Sequence, residues 1–485
     1  MPAKRKISPE VVCRALLIAA ILAFSVYFTY DSFLRHDNLH SLRLDLGNMD
    51  QTVWNVLHGN GFTLTDPMGT AQVSRLSVHA DFILILLAPF YLIWSNPKML
   101  LILQVIGLAC GAIPLFWLAK KVLKNSWIAL LFACAYLLYP TVQMNTLHDF
   151  HATSLTTAFL LFAFWYFISE RPVWFSIFAI LAAFGKEQFW IVTAFMGAAW
   201  IMKPRYRIFG ILATLVSLGI FYLLFWKFIP AVTPAKQHWA LVYLSEYGGN
   251  IDEIIHNVFF HPNQTIRLAF AGDRLYYYFQ LLAPVGFLSL LSPLPLLLAL
   301  PNLAINVLSS NQFMRMIDYQ YTGGITPWVF VSAIYGFGVI ENYIRNKTVL
   351  KKYARPVISV VVLVCTVISV YYWGELPSGP RSRFWFFHYA PPETSTILQV
   401  AASIPSLYSV SATNNIGAHF SQRQFLYNYP LNATAAAYVV VELGDQYAWP
   451  SGDEQQRVLQ LLLADDNYEL IAHTGSFSAL KRRDL

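Results

Sequence analysis

The chain has 485 residues, of which 56% are hydrophobic and only 12% charged, with a mean hydropathy of +0.48. Soluble domains carry about a quarter charged residues, so roughly half the charge of a water-soluble fold is missing, and that class is excluded. The net charge of +7 is no nucleic-acid footprint either, because Lys and Arg sit in short clusters between apolar runs, as in the cytoplasmic loops of membrane proteins.

Lys4-Arg5-Lys6 precedes an apolar stretch from Val11 to Tyr30. That stretch has the roughly 20 residues a spanning helix needs and no small-residue cleavage site, which predicts an uncleaved first span with a cytoplasmic N-terminus. Apolar runs follow at Phe82–Trp94, Met99–Leu118, Trp127–Val142, Leu155–Ile168, Val173–Phe184, Phe189–Met202, Ile208–Phe228, Leu275–Leu291, Leu294–Leu308, Ile325–Ile344 and Pro356–Trp373. Basic clusters at Lys120-Lys121 with Lys124, Lys203–Arg207 and Arg345–Arg355 belong in the cytoplasm by the positive-inside bias. The cysteines Cys13, Cys110, Cys134 and Cys365 lie inside apolar runs, form no CxxC pair and read as small hydrophobes.

Charge parity closes only if Phe82–Trp94 does not cross. It is about 13 residues long with Pro89 inside it, a length typical of re-entrant or interfacial segments. Four segments then fall outside: Asp31–Asp81, Asn145–His151, Gly185–Gln188 and Ser309–Gly324. The loop from Pro230 to Arg274 joins them. So does the region after Trp373, which alternates strand-like runs (Tyr438–Leu443, Glu469–Ala472, Phe477–Leu480) with helix-like ones (Glu393–Ala402, Asp453–Leu463). The expected fold is an all-α polytopic bundle of about 11 spans plus a half-helix in the cytoplasmic membrane. Residues 1–373 form the bundle, with a first outer loop at 31–81, and 374–485 form a small extracytoplasmic α/β domain.

The polar residues concentrate in the outer segments. Met49, Val53, Val56 and Leu57 recur at helical spacing, predicting an amphipathic helix on the membrane surface with Asp45 and Asp50 near its start. Asp45 reads either as a helix cap or as a catalytic or metal-binding carboxylate. His79 and Asp81 precede the half-helix, and His148, Asp149 and His151 end a span, where such groups are costly and point to function. Gly185-Lys186-Glu187-Gln188 breaks an apolar stretch, either as a plain turn or as a Lys and Glu aimed at an anionic group. Arg315, Gln320 and Tyr321 belong to a polar, aromatic loop in which Arg315 suits a phosphate.

Asp45-Leu46-Gly47, Asp50-Gln51, Trp54-Asn55, Leu87-Ala88-Pro89-Phe90-Tyr91, Asp149-Phe150-His151, Lys186-Glu187, Leu300-Pro301-Asn302 and Gln320-Tyr321 together resemble the signature of a family of predicted membrane proteins of unknown function. The resemblance extends to Ala412-Thr413-Asn414 and Ser421-Gln422-Arg423. More distantly the chain is similar to the GT-C glycosyltransferases, which take sugars from polyprenyl-phosphate carriers on the extracytoplasmic side. That likeness implies that a first-loop Asp, here Asp45, serves as base or metal ligand. Two departures are Gln188, where a further acid follows Lys-Glu, and Ala80, where an aromatic follows the His.

The expectation is a glycosyltransferase with Asp45, Asp50, His79, Asp149 and Glu187 as catalytic candidates. Lys186, Arg315, His148, His151, Gln320 and Tyr321 would bind substrate. A divalent cation, Mg or Mn, would sit on Asp45 and Asp149. Its partners would be membrane lipid and a polyprenyl-phosphate-linked sugar donor. The alternative is a transporter or flippase for a lipid-linked substrate, against which stand the absence of a visible repeat and the one-sided charges.

Overall fold

The computed structural model describes residues 8–234, 236–347, 351–445 and 448–485; the Lys4–Lys6 cluster and residues 348–350 of the Arg345–Arg355 cluster lie outside them. The first helix, α1 (Pro9–Asp37), is capped by Ser8, starts on Pro9 with Glu10 in its first turn, and ends on Arg35 and His36. Each choice favours a helix: a side-chain acceptor for an orphan N–H, a pre-set φ, and charges that oppose the helix dipole.

A single π turn (Arg43–Gly47) leads into α2 (Asn48–Leu57). The first-loop helix is therefore present, but it does not lie on a membrane surface with a solvated face. Asn48 through Asn55 are all buried, polar and apolar alike, because the C-terminal unit covers them. Asp45 is not its cap either, since the capping position is Gly47 and makes no side-chain bond.

The run at Phe82–Trp94 becomes α3 (Ile83–Leu87) followed by a 3₁₀ segment, Ala88–Leu92. Ten helical residues reach about 15 Å, half of a bilayer core of about 30 Å. Leu92 and Ile93 are more than three-quarters exposed apolar side chains, while Tyr91 on the opposite side is buried.

Next come α4 (Lys98–Cys110), α5 (Ala112–Leu123), α6 (Ser126–Leu137), α7 (Pro140–Leu147), α8 (Ala152–Ile168), α9 (Pro172–Ala183), α10 (Phe189–Ile201) and α11 (Arg207–Leu223). Pro140 holds Tyr139 extended and bends α7 from α6 by 43°. Among the described residues four helices are long and apolar enough to cross a membrane: Pro9–Asp37, Lys98–Leu123, Pro204–Val232 and Ala354–Trp373. The bent α6–α7 pair makes a fifth if it is one span. Helix length thus does not by itself carry the expected count of about 11, since α9 and α10 have only 12 and 13 residues. The multi-pass membrane character stands.

The run read as a span at Leu275–Leu291 is broken, and that at Leu294–Leu308 is a short continuous helix that opens as a 3₁₀ segment. They form short helices at Arg274–Leu282 and Leu300–Leu308, joined by 3₁₀ turns. Pro284, Pro293 and Pro295 interrupt the backbone ladder, and Gly286 and Phe287 turn it left-handed at φ 61° and 57°.

The C-terminal sheet runs β3 (Val410–Ala412), β4 (Leu426–Asn428), β5 (Tyr438–Glu442), β6 (Tyr468–Thr474) and β7 (Phe477–Arg482), after a hairpin of β1 (Thr63–Thr65) and β2 (Gln72–Ser74) in the first loop. Its order is β4-β3-β5-β7-β6, with β3 parallel to β4 and β5, and β7 antiparallel to β5 and β6. Helices Thr394–Ser403 and Gly452–Leu463 pack on it around Val410, Val440 and Phe477, and around Val439 and Leu459. The sheet docks on the first loop. Gln51 Nε2 donates to the carbonyls of Arg423 and Gln424 at 3.1 and 3.0 Å, and Leu44 N donates to Asn414 Oδ1 at 3.0 Å. This cap defines the end of the bundle where the polar loops meet.

Candidate active site

Asp45 leaves the π turn with its side chain 29% exposed, and its Oδ1 stands 3.3 Å from His151 Nε2. His148 stacks on His151 with ring centroids 5.0 Å apart, and one ligand atom from each of Asp45, His148 and His151 lies within 4.8 Å of the others. His151 Nδ1 is 2.7 Å from the Asp149 carbonyl. A carbonyl only accepts, so Nδ1 carries a proton and Nε2 is the atom turned toward Asp45. The contact is filled either by a proton, when Nε2 donates to the carboxylate, or by a cation, when Nε2 presents its lone pair. An imidazole that donates its far N–H to a carbonyl is also the usual posture of a metal ligand. His148 is held neutral, its pKa well below the ordinary value because it is buried and lies beside His151. Burial raises the Asp45 carboxyl, yet hydrogen bonding and charge from His151 outweigh this and leave its pKa lowered.

Asp149, expected beside Asp45 as a metal ligand, is placed elsewhere. It pairs with buried Arg35, and its second oxygen accepts from Leu42 N at 2.8 Å. Both oxygens are occupied, so Asp149 pins the loop that carries His148 and His151 to α1 and the first loop. Gln104 of α4 holds the same loop, donating to the carbonyls of Asn145 and His148 at 3.0 and 3.1 Å and accepting from His151 N at 2.8 Å.

A second convergence forms around Glu187. His79 Nδ1 and His238 Nε2 lie 3.1 and 2.9 Å from its Oε1, and Ala80 N donates to Oε2 at 3.0 Å. Because Ala240 N donates to His238 Nδ1 at 3.1 Å, His238 carries its proton on Nε2 and gives it to Glu187. His238 therefore offers no lone pair inward, and the group fits a hydrogen-bonded hub better than a metal site. The three donors hold Glu187 ionised, well below the ordinary carboxylate range despite the opposing effect of burial. Burial first, then the charge of Lys186, pushes His79 down to about 3.

Glu187 does not pair with its neighbour Lys186. Among the described residues Lys186 Nζ has no hydrogen-bond or ion-pair partner, and burial lowers its pKa. Lys186 and Gln188 line two spaces at once. One is a polar cleft of about 50 Å³ shared with His79, His151, Gln320 and Tyr321. The other is an apolar pocket of about 360 Å³ walled by Ile191, Phe221, Phe225, Ile254 and Val258. Gln188 donates to Asn302 at 2.8 Å across the cleft.

Two other expected residues lie away from this centre. Asp50 is buried, accepting from Tyr91 Oη, from Ser421 Oγ at 2.6 Å and from Gln422 Nε2 at 3.1 Å, so it ties the cap to α2 and the half-helix. Arg315 is held by Asp273 at 3.1 Å and by the Ser309 carbonyl at 2.5 Å, and lines neither space. Arg35 and His238 escape the sequence reading. His238, next to Trp239 in a mixed loop, carries a weak signal as an isolated histidine, and Arg35 reads as the basic flank of a span.

The family model described as "Predicted membrane protein (DUF2079)" matches residues 35–476. The chain belongs to this family. No curated protein sequence matches it. Among solved structures it is similar to ArnT from Cupriavidus metallidurans in the apo state, with a TM-score of 0.53, 11% identity, and 98% of each chain covered. It is likewise similar to ArnT of that organism bound to undecaprenyl phosphate, with a TM-score of 0.51, 10% identity, and coverage of 96% of this chain and 97% of the other. The similarity is one of fold, and it supports the distant likeness of this DUF2079 member to the GT-C glycosyltransferases.

Proposed function

We propose that the chain is a membrane glycosyltransferase that moves a sugar from a polyprenyl-phosphate carrier to an acceptor on the extracytoplasmic side. One observation carries the reading: the unpaired Lys186 sits at the seam between a polar cleft and an apolar pocket. An amphiphile with an anionic junction between a polar head and a hydrocarbon tail matches that seam. The tail would lie along Phe221 and Phe225, the phosphate against Lys186, and the sugar toward His151, Gln320 and Tyr321. The fold shared with a protein crystallised with undecaprenyl phosphate points the same way.

In the transfer step the acceptor oxygen bonds to the sugar's anomeric carbon as the bond from that carbon to the phosphate oxygen breaks, the electron pair leaving with the phosphate. Lys186 stabilises the charge that develops on the leaving phosphate. Asp45, ionised and partly open, takes the acceptor hydroxyl's proton. Asp45, His148 and His151 would hold a divalent cation, which would add positive charge at the reacting centre. Two nitrogen donors fit Mn or Zn better than Mg, whose usual ligands are all oxygen. Glu187, His79 and His238 keep the broken turn rigid so that Lys186 stays in the seam.

The test is native mass spectrometry of the purified protein with undecaprenyl phosphate, followed by transfer from a radiolabelled polyprenyl-phosphate sugar. Binding that falls at least tenfold in Lys186→Met, with transfer lost in Asp45→Asn, is expected. Wild-type lipid binding by Lys186→Met would overturn the assignment. Binding without any transfer would favour a flippase.

A further inference from the structure

A cavity of about 380 Å³ lies at the seam between the end of α1, the residues entering α4 and the C-terminal unit, sharing no lining residue with the Lys186 cleft. Arg423 forms part of its wall and is only 4% exposed. Its Nε donates to the Phe420 carbonyl at 2.6 Å and its Nη1 to the Tyr408 carbonyl at 2.9 Å. Among the described residues no carboxylate pairs with it, and Nη2 has no partner. Arg35 and Arg75 show the contrast, each buried against its own Asp. Burying a guanidinium without a counter-charge is costly, and the open edge of its planar fork matches an oxyanion.

The rest of the lining agrees. Asp37 is the sole carboxylate of the wall, and Lys98 already neutralises it at 2.6 Å. The rings of His36 and His419 stack at 4.2 Å, and His419 Nε2 is buried without a partner. Asn96, Ser406 and Gln422 add amide and hydroxyl groups suited to ligand hydroxyls. This mixture differs from the all-but-apolar pocket beside Lys186 and favours a ligand from water over a lipid tail. We infer that this cavity is a second ligand site, in which Arg423 receives the carboxylate or phosphate of a water-soluble sugar acid or sugar phosphate. Gln422, which lines the cavity and also donates to Asp50, sets the ligand against the joint between cap and bundle.

The inference does not depend on sugar transfer and is tested by binding alone. Full-length protein in phosphatidylcholine nanodiscs is titrated with glucuronate, glucose 1-phosphate and glucose. Both anions should bind and neutral glucose should not. Arg423→Gln should weaken binding at least tenfold. Ala402→Trp, which fills the exposed rim without touching the Arg423 bonds, should do the same and decides the matter if Arg423→Gln does not fold. Lys186→Met should leave both affinities unchanged. Failure of both anions to bind, or binding indifferent to Arg423→Gln and Ala402→Trp, overturns the site. Loss in Lys186→Met would move the anion to the other cleft. Displacement by phosphatidic acid in the nanodisc would assign the site to a lipid headgroup and equally overturn the inference.

Discussion

Replacing Asp149 by Asn separates a loop-pinning charge from a reacting one. Asp149 is fully buried against Arg35 and also accepts from Leu42 N at 2.8 Å. The amide can keep the Leu42 bond, but it leaves the Arg35 guanidinium buried without a counter-charge. Removing one partner of a buried pair costs about 3–5 kcal/mol. Unfolding entropy near 2.1 cal/mol/K per residue, over a chain of 485 residues, gives about 1 kcal/mol per degree. The expected fall in melting temperature is therefore about 3–5 °C, read by scanning fluorimetry of the purified protein in one detergent.

Asp45→Asn is the matched control. Its side chain is 29% exposed and among the described residues its one close polar side-chain contact is His151 at 3.3 Å, so its loss should move the melting temperature by less than about 1 °C. The double change Arg35→Met with Asp149→Leu should recover much of the lost stability, because an apolar pair of similar volume can replace a buried ion pair. Asp149→Asn melting with the wild type, or Asp45→Asn falling as far, would refute this division of roles.

Asp50 should make stability depend on pH. Burial raises its carboxyl from 3.8 to about 6 in the folded chain, so the folded state binds the proton more tightly than the unfolded state. Its stabilising effect is complete below pH 4 and is lost as pH climbs toward 6, a change of about 3 kcal/mol for a shift of about two units. Relative to Asp50→Asn, the wild type should lose up to about 3 °C between pH 4 and pH 7; a difference that is flat across that range would contradict the account. Elemental analysis of wild-type protein after exhaustive dialysis should find about one equivalent of a transition metal, absent from His151→Ala and retained by His79→Ala. Metal that survives in His151→Ala would remove the Asp45–His148–His151 site.

The class of protein and the loops that meet were legible because hydropathy and charge parity act on whole segments. The shortness of Phe82–Trp94 was legible in the same way. Partners were not. Arg35 reads as the basic flank of a span, and nothing local links it to Asp149 more than a hundred residues later. Residue type and position in the first loop do not tell which of Asp45 and Asp50 is buried. Only the docked cap shows that one is buried beneath Ser421 and the other is open. The broken stretch from Ala283 to Pro293 was readable, since its prolines were visible, but hydropathy alone passes over them.

The last distinction lies beyond any sequence pattern. His151 and His238 both face a carboxylate from a loop, and residue type alone would rank them alike as metal ligands. A carbonyl at the far nitrogen of His151 keeps a proton on that side and leaves Nε2 free to share a proton or an ion with Asp45, whereas an amide N–H at the far nitrogen of His238 sends its proton to Glu187. The backbone at the second nitrogen thus assigns one cluster to an ion or a proton and the other to scaffolding. On the proposed function, that difference favours Asp45 over the more heavily buried Glu187 as the reacting carboxylate.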